Sequence, residues 1–409
     1  MMSVNKVKTN VCVDLTVEGK VYSLHEGDAI DNIDYVEEGI AKSVSGKLES
    51  FKIVATRFYR HHRHTDDSFT PSIYFNKLVG VIGMNILQDN GKKVTVNMED
   101  VVGIGYKSIF PEDAVVVEVA TVEELVTAFT AGGNVKLTAP VDMGVETVSI
   151  PKDVEVVLDL NGQTISGVMT ETVTANHTLI QNNGSLVIDD STGKGKITYS
   201  YTGETTNWGK STNTITNAPK AKLVVNGGTI ENTTNVPSHI YYAIDNLTNG
   251  NTGIVELEIN GGEISCPNYR AIRMFCNSTT DLNKVTINGG KISSETNAPV
   301  VLHISSNKAH VAELNITGGE ISTVSDGSNR AVYVTGFGGV NEDTVSNVSI
   351  NISGGYYKGA IVVDPDEFAE GLLTGFVTGG HYTVDPSTYV AEGHSVEESK
   401  IKGYNYHVI

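Results

Sequence analysis

The residues of this chain that could move protons, hold charge or grip a ligand are few. Glu263, Lys291 and Glu320 hold equal positions in three similar stretches, NGGEIS, NGGKIS and TGGEIS. If those stretches stack, two layers separate the glutamates, about 9.6 Å at the usual strand spacing. That lies near the upper range for an inverting glycosidase pair. The lysine between them argues instead for an outward charge ladder, because a general acid needs a desolvated carboxyl and not an adjacent ammonium. Asp245 and Arg273 stand two residues after Ala243 and Ala271. They read as an ion pair between neighbouring layers, worth little if exposed. Asp189-Asp190 raises calcium, yet adjacent strand residues point to opposite sides. The Ser191-Thr192-Gly193 that follows reads as an Asx-type turn. No catalytic residue, metal ligand or cofactor is assigned on this basis.

The densest basic stretch is Arg57-Phe58-Tyr59-Arg60-His61-His62-Arg63-His64, which holds three of the six arginines. His62 and His64 would share a strand face and could hold a metal, but a solvated loop is the simpler reading. A sharper alternative is an interface, since arginine and aromatic residues favour interfaces. Arg57, Tyr59, Arg60, His61 and Arg63 are its candidates, with Asp66-Asp67 beside them to offset the charge. Tyrosines recur at 241, 242, 269, 333, 356 and 357. Such a cluster can bind sugar rings or pack under a loop or in a subunit contact, and the sequence leaves both open. Tyr242, Tyr269 and the single tryptophan, Trp208 in the polar run GETTNWGKSTN, are the candidate glycan contacts.

Composition narrows what these residues can serve. The chain has 409 residues, 42 of them glycine, and a formal charge of −19. Residues 1–110 carry 13 Lys+Arg against 14 Asp+Glu, a net of −1, which leaves −18 on the remainder. A surface that acidic repels nucleic acid and anionic lipid. Three cysteines, Cys12, Cys266 and Cys276, form no CxxC pair, so neither a disulfide scaffold nor a cysteine zinc site is expected. No apolar run is long enough to span a membrane, and the opening MMSVNKVKTNVCVDL lacks the apolar core of a signal peptide.

The elements that must position these residues announce themselves by repetition. VVNGGTIE, EINGGEIS, TINGGKIS, NITGGEIS, NISGGYYK and FVTGGHYT place the first glycine of a pair at 227, 261, 289, 318, 354 and 379. A second strand recurs between them: YYAID, YRAIRM, PVVLHI, RAVYV and GAIVV. Each repeat is therefore one coil that buries nothing alone and forms a continuous interior on stacking. Gly-Gly supplies a sharp corner. The residue before it, Asn226, Asn260, Asn288, Thr317, Ser353 or Thr378, can hydrogen-bond to its counterpart in the next coil. Ile230, Ile264, Ile292 and Ile321 would form an inner stack. Ahead of the coils, Thr121 and Glu124 have capping-box spacing for a short helix whose Leu125, Ala128 and Phe129 share one face. That helix would cap the first coil, and the segment from His381 would close the other end. Residues 1–112 read as a separate small β barrel or sandwich, with turns at Glu18-Gly19-Lys20 and Asn90-Gly91.

On these residues the chain resembles the pectate-lyase-like right-handed parallel β-helices. The Gly-Gly coils carry the resemblance, with EVVLDLNGQTISG, SLVIDDSTGKGKI and the tail VDPSTYVAEGHSV…YHV. It covers residues 113–409 and resembles a subtype of phage fibres and bacterial surface proteins. Lyase calcium carboxylates and the lyase basic residue have no matching cluster, so lyase activity is not implied. A small β domain before a β-helix is similar to phage head fibres and tailspikes, in which the first domain docks to the particle. The expectation is a non-enzymatic bacteriophage virion protein, a head fibre or capsid decoration, assembled in the host cytoplasm. Its expected partners are the major capsid protein or another virion protein and a host-surface glycan, with neither nucleic acid nor membrane. A homo-trimer is the expected assembly, with a dimer next. The alternatives are a tailspike that cleaves host glycan and a bacterial surface adhesin.

Overall fold

The computed structural model describes residues 2–4, 13–17, 20–24, 29–37, 40–63, 69–88, 90–106, 109–111, 113–204, 210–250, 253–305, 308–323, 330–337 and 340–409. The chain divides into two units, Met1–Glu112 with Ser191–Gly193, and Asp113–Asp190 with Lys194–Ile409.

The first unit is antiparallel. Strands Ala29–Glu37, Ile40–Arg63, Phe69–Leu87, Lys93–Asn97 and Val101–Tyr106 form one sheet, to which Met2–Val4 adds a sixth strand. A separate hairpin, Val13–Val17 with Lys20–Leu24, packs Leu15 and Leu24 onto the sheet's apolar side with Ile33, Leu48, Phe51 and Met84. The turn expected at Asn90-Gly91 is present, with Gly91 at φ +80°. Ile40–Arg63 and Phe69–Leu87 outrun their neighbours. Among the described residues, the first strand's pairing with Met2–Val4 ends at Ala55, and Thr56 to Arg63 pair only with Lys77 to Phe69. At about 3.4 Å per residue this two-stranded arm is roughly 27 Å long.

The second unit is a parallel β-helix. From Gly133–Leu137 to Ala360–Val363 every third strand joins the same sheet, so each coil lends one strand to each of three sheets. The first sheet runs from Val116–Val119 to Val348–Ile352 and has nine strands. The second starts at Val141–Asp142 and has eleven. The third runs from Val148–Ile150 to Ala360–Val363 and has eight.

The Gly-Gly corner shows why the coils stay in register. A Cβ on Gly289 would sit 2.4 Å from the carbonyl oxygen of Asn260 in the coil before, and Gly290 holds φ +81°. The first glycine thus permits close approach of two backbones and the second supplies the turn. The same clash, 2.3 Å, recurs at Gly261 and Gly318. Beside them the expected ladder forms. Asn260 Nδ2 donates to Asn226 Oδ1 at 3.0 Å, Asn288 Nδ2 to Asn260 Oδ1 at 2.9 Å, and Thr317 Oγ1 to Asn288 Oδ1 at 2.9 Å. Ile230, Ile264, Ile292 and Ile321 pair in sequence along the second sheet and are wholly buried. Each such side chain contributes about 1.5–3 kcal/mol by leaving water.

A second ladder, which the sequence reading missed, lies inside. Asn182 Nδ2 donates to Asn217 Oδ1 at 2.7 Å, Asn217 Nδ2 to Asn246 Oδ1 at 2.6 Å, and Asn246 Nδ2 to Asn283 Oδ1 at 2.7 Å. All four are fully buried. Their spare donors reach the carbonyls of Lys222, Glu256 and Lys284, so the polar corner is satisfied without water.

The ends are closed as the sequence suggests. Thr121 caps the helix Val122–Ala131 in a full capping box with Glu124, and Leu125, Ala128 and Phe129 join the β-helix core. At the other end Gly380–Tyr382 adds a last parallel strand to the second sheet, and Tyr406–Val408 and Val396–Glu398 extend it in antiparallel fashion. Cys266 and Cys276 are buried as free thiols.

Candidate functional site

The three faces of the β-helix differ in what they carry outward, and the third sheet stands apart. Its strand Val300–Ile304 is buried at every residue, so both sides of the sheet are covered at that coil. Ile244, Ile272, Val300 and Val332 line up on the inner side. Asp245, Arg273, Val301 and Tyr333 form the neighbouring outer row. Arginine and aromatic side chains cover that row themselves.

Asp245 and Arg273 sit at its centre. Arg273 Nε donates to Asp245 Oδ1 at 2.8 Å and its Nη2 to Oδ2 at 2.6 Å, a two-pronged pair. Asp245 is 1% exposed, so the ion pair read from the sequence is a buried one. Its cause is aromatic cover. The Arg273 guanidinium lies 4.3 Å from the centre of the Tyr242 ring and 4.6 Å from that of Phe275. Asn213 Nδ2 adds a third donor to Asp245 at 3.3 Å.

On one flank, His303 packs edge-on to Phe275 at 5.2 Å and tilts against Phe337 at 4.8 Å. Both of its ring nitrogens are buried without a hydrogen-bond partner. Burial, reinforced by the charges of Arg273 and Arg270, pushes its imidazole down to about 3. Phe337 is the exposed aromatic of this face, at 58%.

The other flank holds two more arginines. Arg270 lies 5.2 Å from the centre of the Tyr269 ring and 5.9 Å from that of Tyr333. Arg330 lies 4.2 Å from the same Tyr333 ring. Ala298, Val301 and Tyr333 form a small buried cluster beneath, apart from the main core. The Tyr333 hydroxyl donates to Asp364, which also accepts from Thr335 Oγ1 at 3.0 Å. All three arginines of residues 113–409 are thus on one face.

The sequence candidates separate accordingly. Tyr242 is 2% exposed beneath Arg273, so it cannot offer its ring to a sugar; burial by the guanidinium corrects that expectation. Tyr269 is half-buried and stays on the face. Tyr241 and Tyr357 are core residues, and Tyr357 stacks on Tyr382 at 4.7 Å. Tyr356 belongs to the second sheet, stacked on His381 at 5.4 Å, with His407 4.1 Å beyond. Trp208 lies outside the described residues, as do His64, Asp66 and Asp67. Arg57, Tyr59, Arg60, His61 and Arg63 belong to the two-stranded arm, opposite Phe75, Ile73, Ser72, Pro71 and Phe69. The basic stretch is therefore strand where a solvated loop was the simpler expectation, and its side chains lie outside the described set.

Glu263, Lys291 and Glu320 are adjacent in register on the second sheet, with the lysine in the middle. Lys291 makes no ion pair with either. Glu320 pairs with Lys358 at 2.6 Å. Asp189 ends the strand Ser185–Asp189, its Oδ1 accepting from the Asp190 amide at 2.8 Å, and the turn read from the sequence follows at Ser191-Thr192. Burial and the charges of Asp159 and Asp190 raise the Asp189 carboxyl, against a lowering by the Asp190 amide. Among the described residues no group of three His, Cys, Asp or Glu side chains is arranged to hold a metal ion.

No family model matches this chain, and neither a curated protein nor a solved structure matches it.

Proposed function

We propose that this chain is a non-enzymatic bacteriophage virion protein, a head fibre or capsid decoration of the pectate-lyase-like β-helix type. In this reading the first unit docks on the major capsid protein or another virion protein, and the β-helix meets host-surface glycan. The protein resides in the virion, as a trimer or, failing that, a dimer. One observation carries the reading. A near-neutral antiparallel unit extends a two-stranded arm whose sequence holds Arg57, Arg60 and Arg63, while the β-helix is strongly acidic. Arginine-rich strand arms suit a fixed protein partner, and an acidic stacked scaffold with a lysine between its aligned glutamates suits display over hydrolysis.

The test is electron cryomicroscopy and peptide mass spectrometry of purified particles. The chain is expected in the particle, with residues 1–112 against the shell. Particles that lack it contradict the proposal. Purified protein that shortens host polysaccharide, and loses that activity with Glu263→Gln, would overturn its non-enzymatic part.

A further inference from the structure

We infer that the outer face of the third sheet binds a carboxylate carried on an otherwise neutral saccharide, held between Arg270 and Arg330. This deepens the glycan-facing half of the function proposed above and rests on it for biological context alone.

The face contains its own template. Arg273, its guanidinium over the Tyr242 and Phe275 rings, grips the Asp245 carboxylate through two hydrogen bonds. Arg330 is seated on Tyr333 in the same way, at 4.2 Å against 4.3 Å for Arg273 on Tyr242. A guanidinium placed over a ring in this way can still offer its N–H donors to an acceptor, as Arg273 does to Asp245. Neither Arg270 nor Arg330 has an ion-pair partner among the described residues. The one hydrogen bond from Arg270 is long, 3.5 Å to Asn297 Oδ1. Asp364 feels the charge of Arg330, but its carboxylate is engaged by Tyr333, Thr335 and the Asp366 amide.

Two guanidiniums therefore converge on one tyrosine ring with donors to spare, inside a unit that is otherwise strongly acidic. That background selects the ligand. Dense polyanions are repelled by the surrounding carboxylates, whereas an isolated planar carboxylate meets the planar fork of arginine. The half-buried Tyr269 beside Arg270 adds an aromatic surface for the neutral part of a sugar. The second sheet is less suited, although it also carries rings. Tyr356, His381 and His407 stack on one another at interplanar angles of 12° and 11°, so their flat sides face each other and not a ligand.

Calorimetric titration of the full chain tests the inference with two probes, sialyllactose and a glucuronate-containing trisaccharide. Each is compared with its neutral parent sugar and with inorganic phosphate. At least one acidic probe should bind ten times or more tightly than its neutral parent, and the difference should shrink with salt. Arg270→Gln with Arg330→Gln should abolish that preference. Arg270→Lys with Arg330→Lys, which keeps charge and loses the fork, should weaken it about tenfold. Circular dichroism confirms that each variant is folded. Equal binding of acidic and neutral sugars, full binding by either double variant, or stronger binding of phosphate would each overturn the inference. Absence of the chain from virions leaves this titration interpretable, and a failed titration leaves particle docking untouched.

Discussion

The outer faces of the second and third sheets are built on the same repeat and come out differently. Along the second, Glu263, Lys291 and Glu320 stand in register in water, joined further on by the exposed Tyr356. Along the third, Asp245, Arg273 and Val301 occupy an equally regular row and are withdrawn from solvent. What differs is the company. Tyr242, Phe275 and Tyr333 roof the third face, whereas serines flank the charged row on the second, as at Ser265, Ser293 and Ser322. A charged pair on a β-helix is a structural commitment in one place and nearly free in the other.

Breaking the two ion pairs separates these cases most widely. Asp245→Ala leaves the Arg273 guanidinium buried beside two rings. It should cost about 3–5 kcal/mol in chemical denaturation. Glu320→Ala removes the pair with Lys358 at 2.6 Å, where both groups meet water, and should cost under about 1 kcal/mol. Equal losses would show that the third face is not covered.

The two asparagine ladders sharpen the same contrast. Asn246→Ala strands the amides of Asn217 and Asn283 in the interior. A loss of about 1–3 kcal/mol is expected. Asn260→Ala breaks the solvent-facing ladder, and a midpoint shift less than half as large should follow.

His303 tests the covered face through pH. Its imidazole titrates near 3 when folded and near 6.5 when unfolded. Between those values the unfolded chain binds more protons. Stability from this group is therefore complete above about pH 6.5 and drains away as pH falls towards 3. Burial lowers His177, His239 and His310 as well, and these add to the same acid loss. His303→Phe removes two unmet nitrogens and should stabilise by about 1 kcal/mol at pH 7. It should also flatten the decline in melting temperature between pH 7 and 4. An unchanged pH profile would mean that water reaches the ring.

The smallest effect is expected on the open face. Glu263→Gln should shift stability by no more than about 0.5 kcal/mol, as read by the denaturation midpoint.

Much of this was legible in the residues. Repeating Gly-Gly corners announced stacked coils, because the close approach at Gly289 and the positive φ at Gly290 exclude other side chains. Thr121 and Glu124 announced the cap, since capping is local chemistry. The interior asparagines were hidden because no shared flanking motif marks 182, 217, 246 and 283, which meet only once loops of different length have been folded out. The third-face site was hidden for a related reason. Asp245 and Arg273 were seen as partners, but their burial depends on Tyr242 and Phe275, and exposure cannot be read from a pair in isolation.

The measurement that bears most directly on the contrast is hydroxyl-radical footprinting of the full chain with and without the acidic saccharide that binds it. Tyr269 beside Arg270 on the third face should be protected, while Tyr356 on the second keeps its reactivity. Protection of Tyr356, with Tyr269 unchanged, would contradict the account.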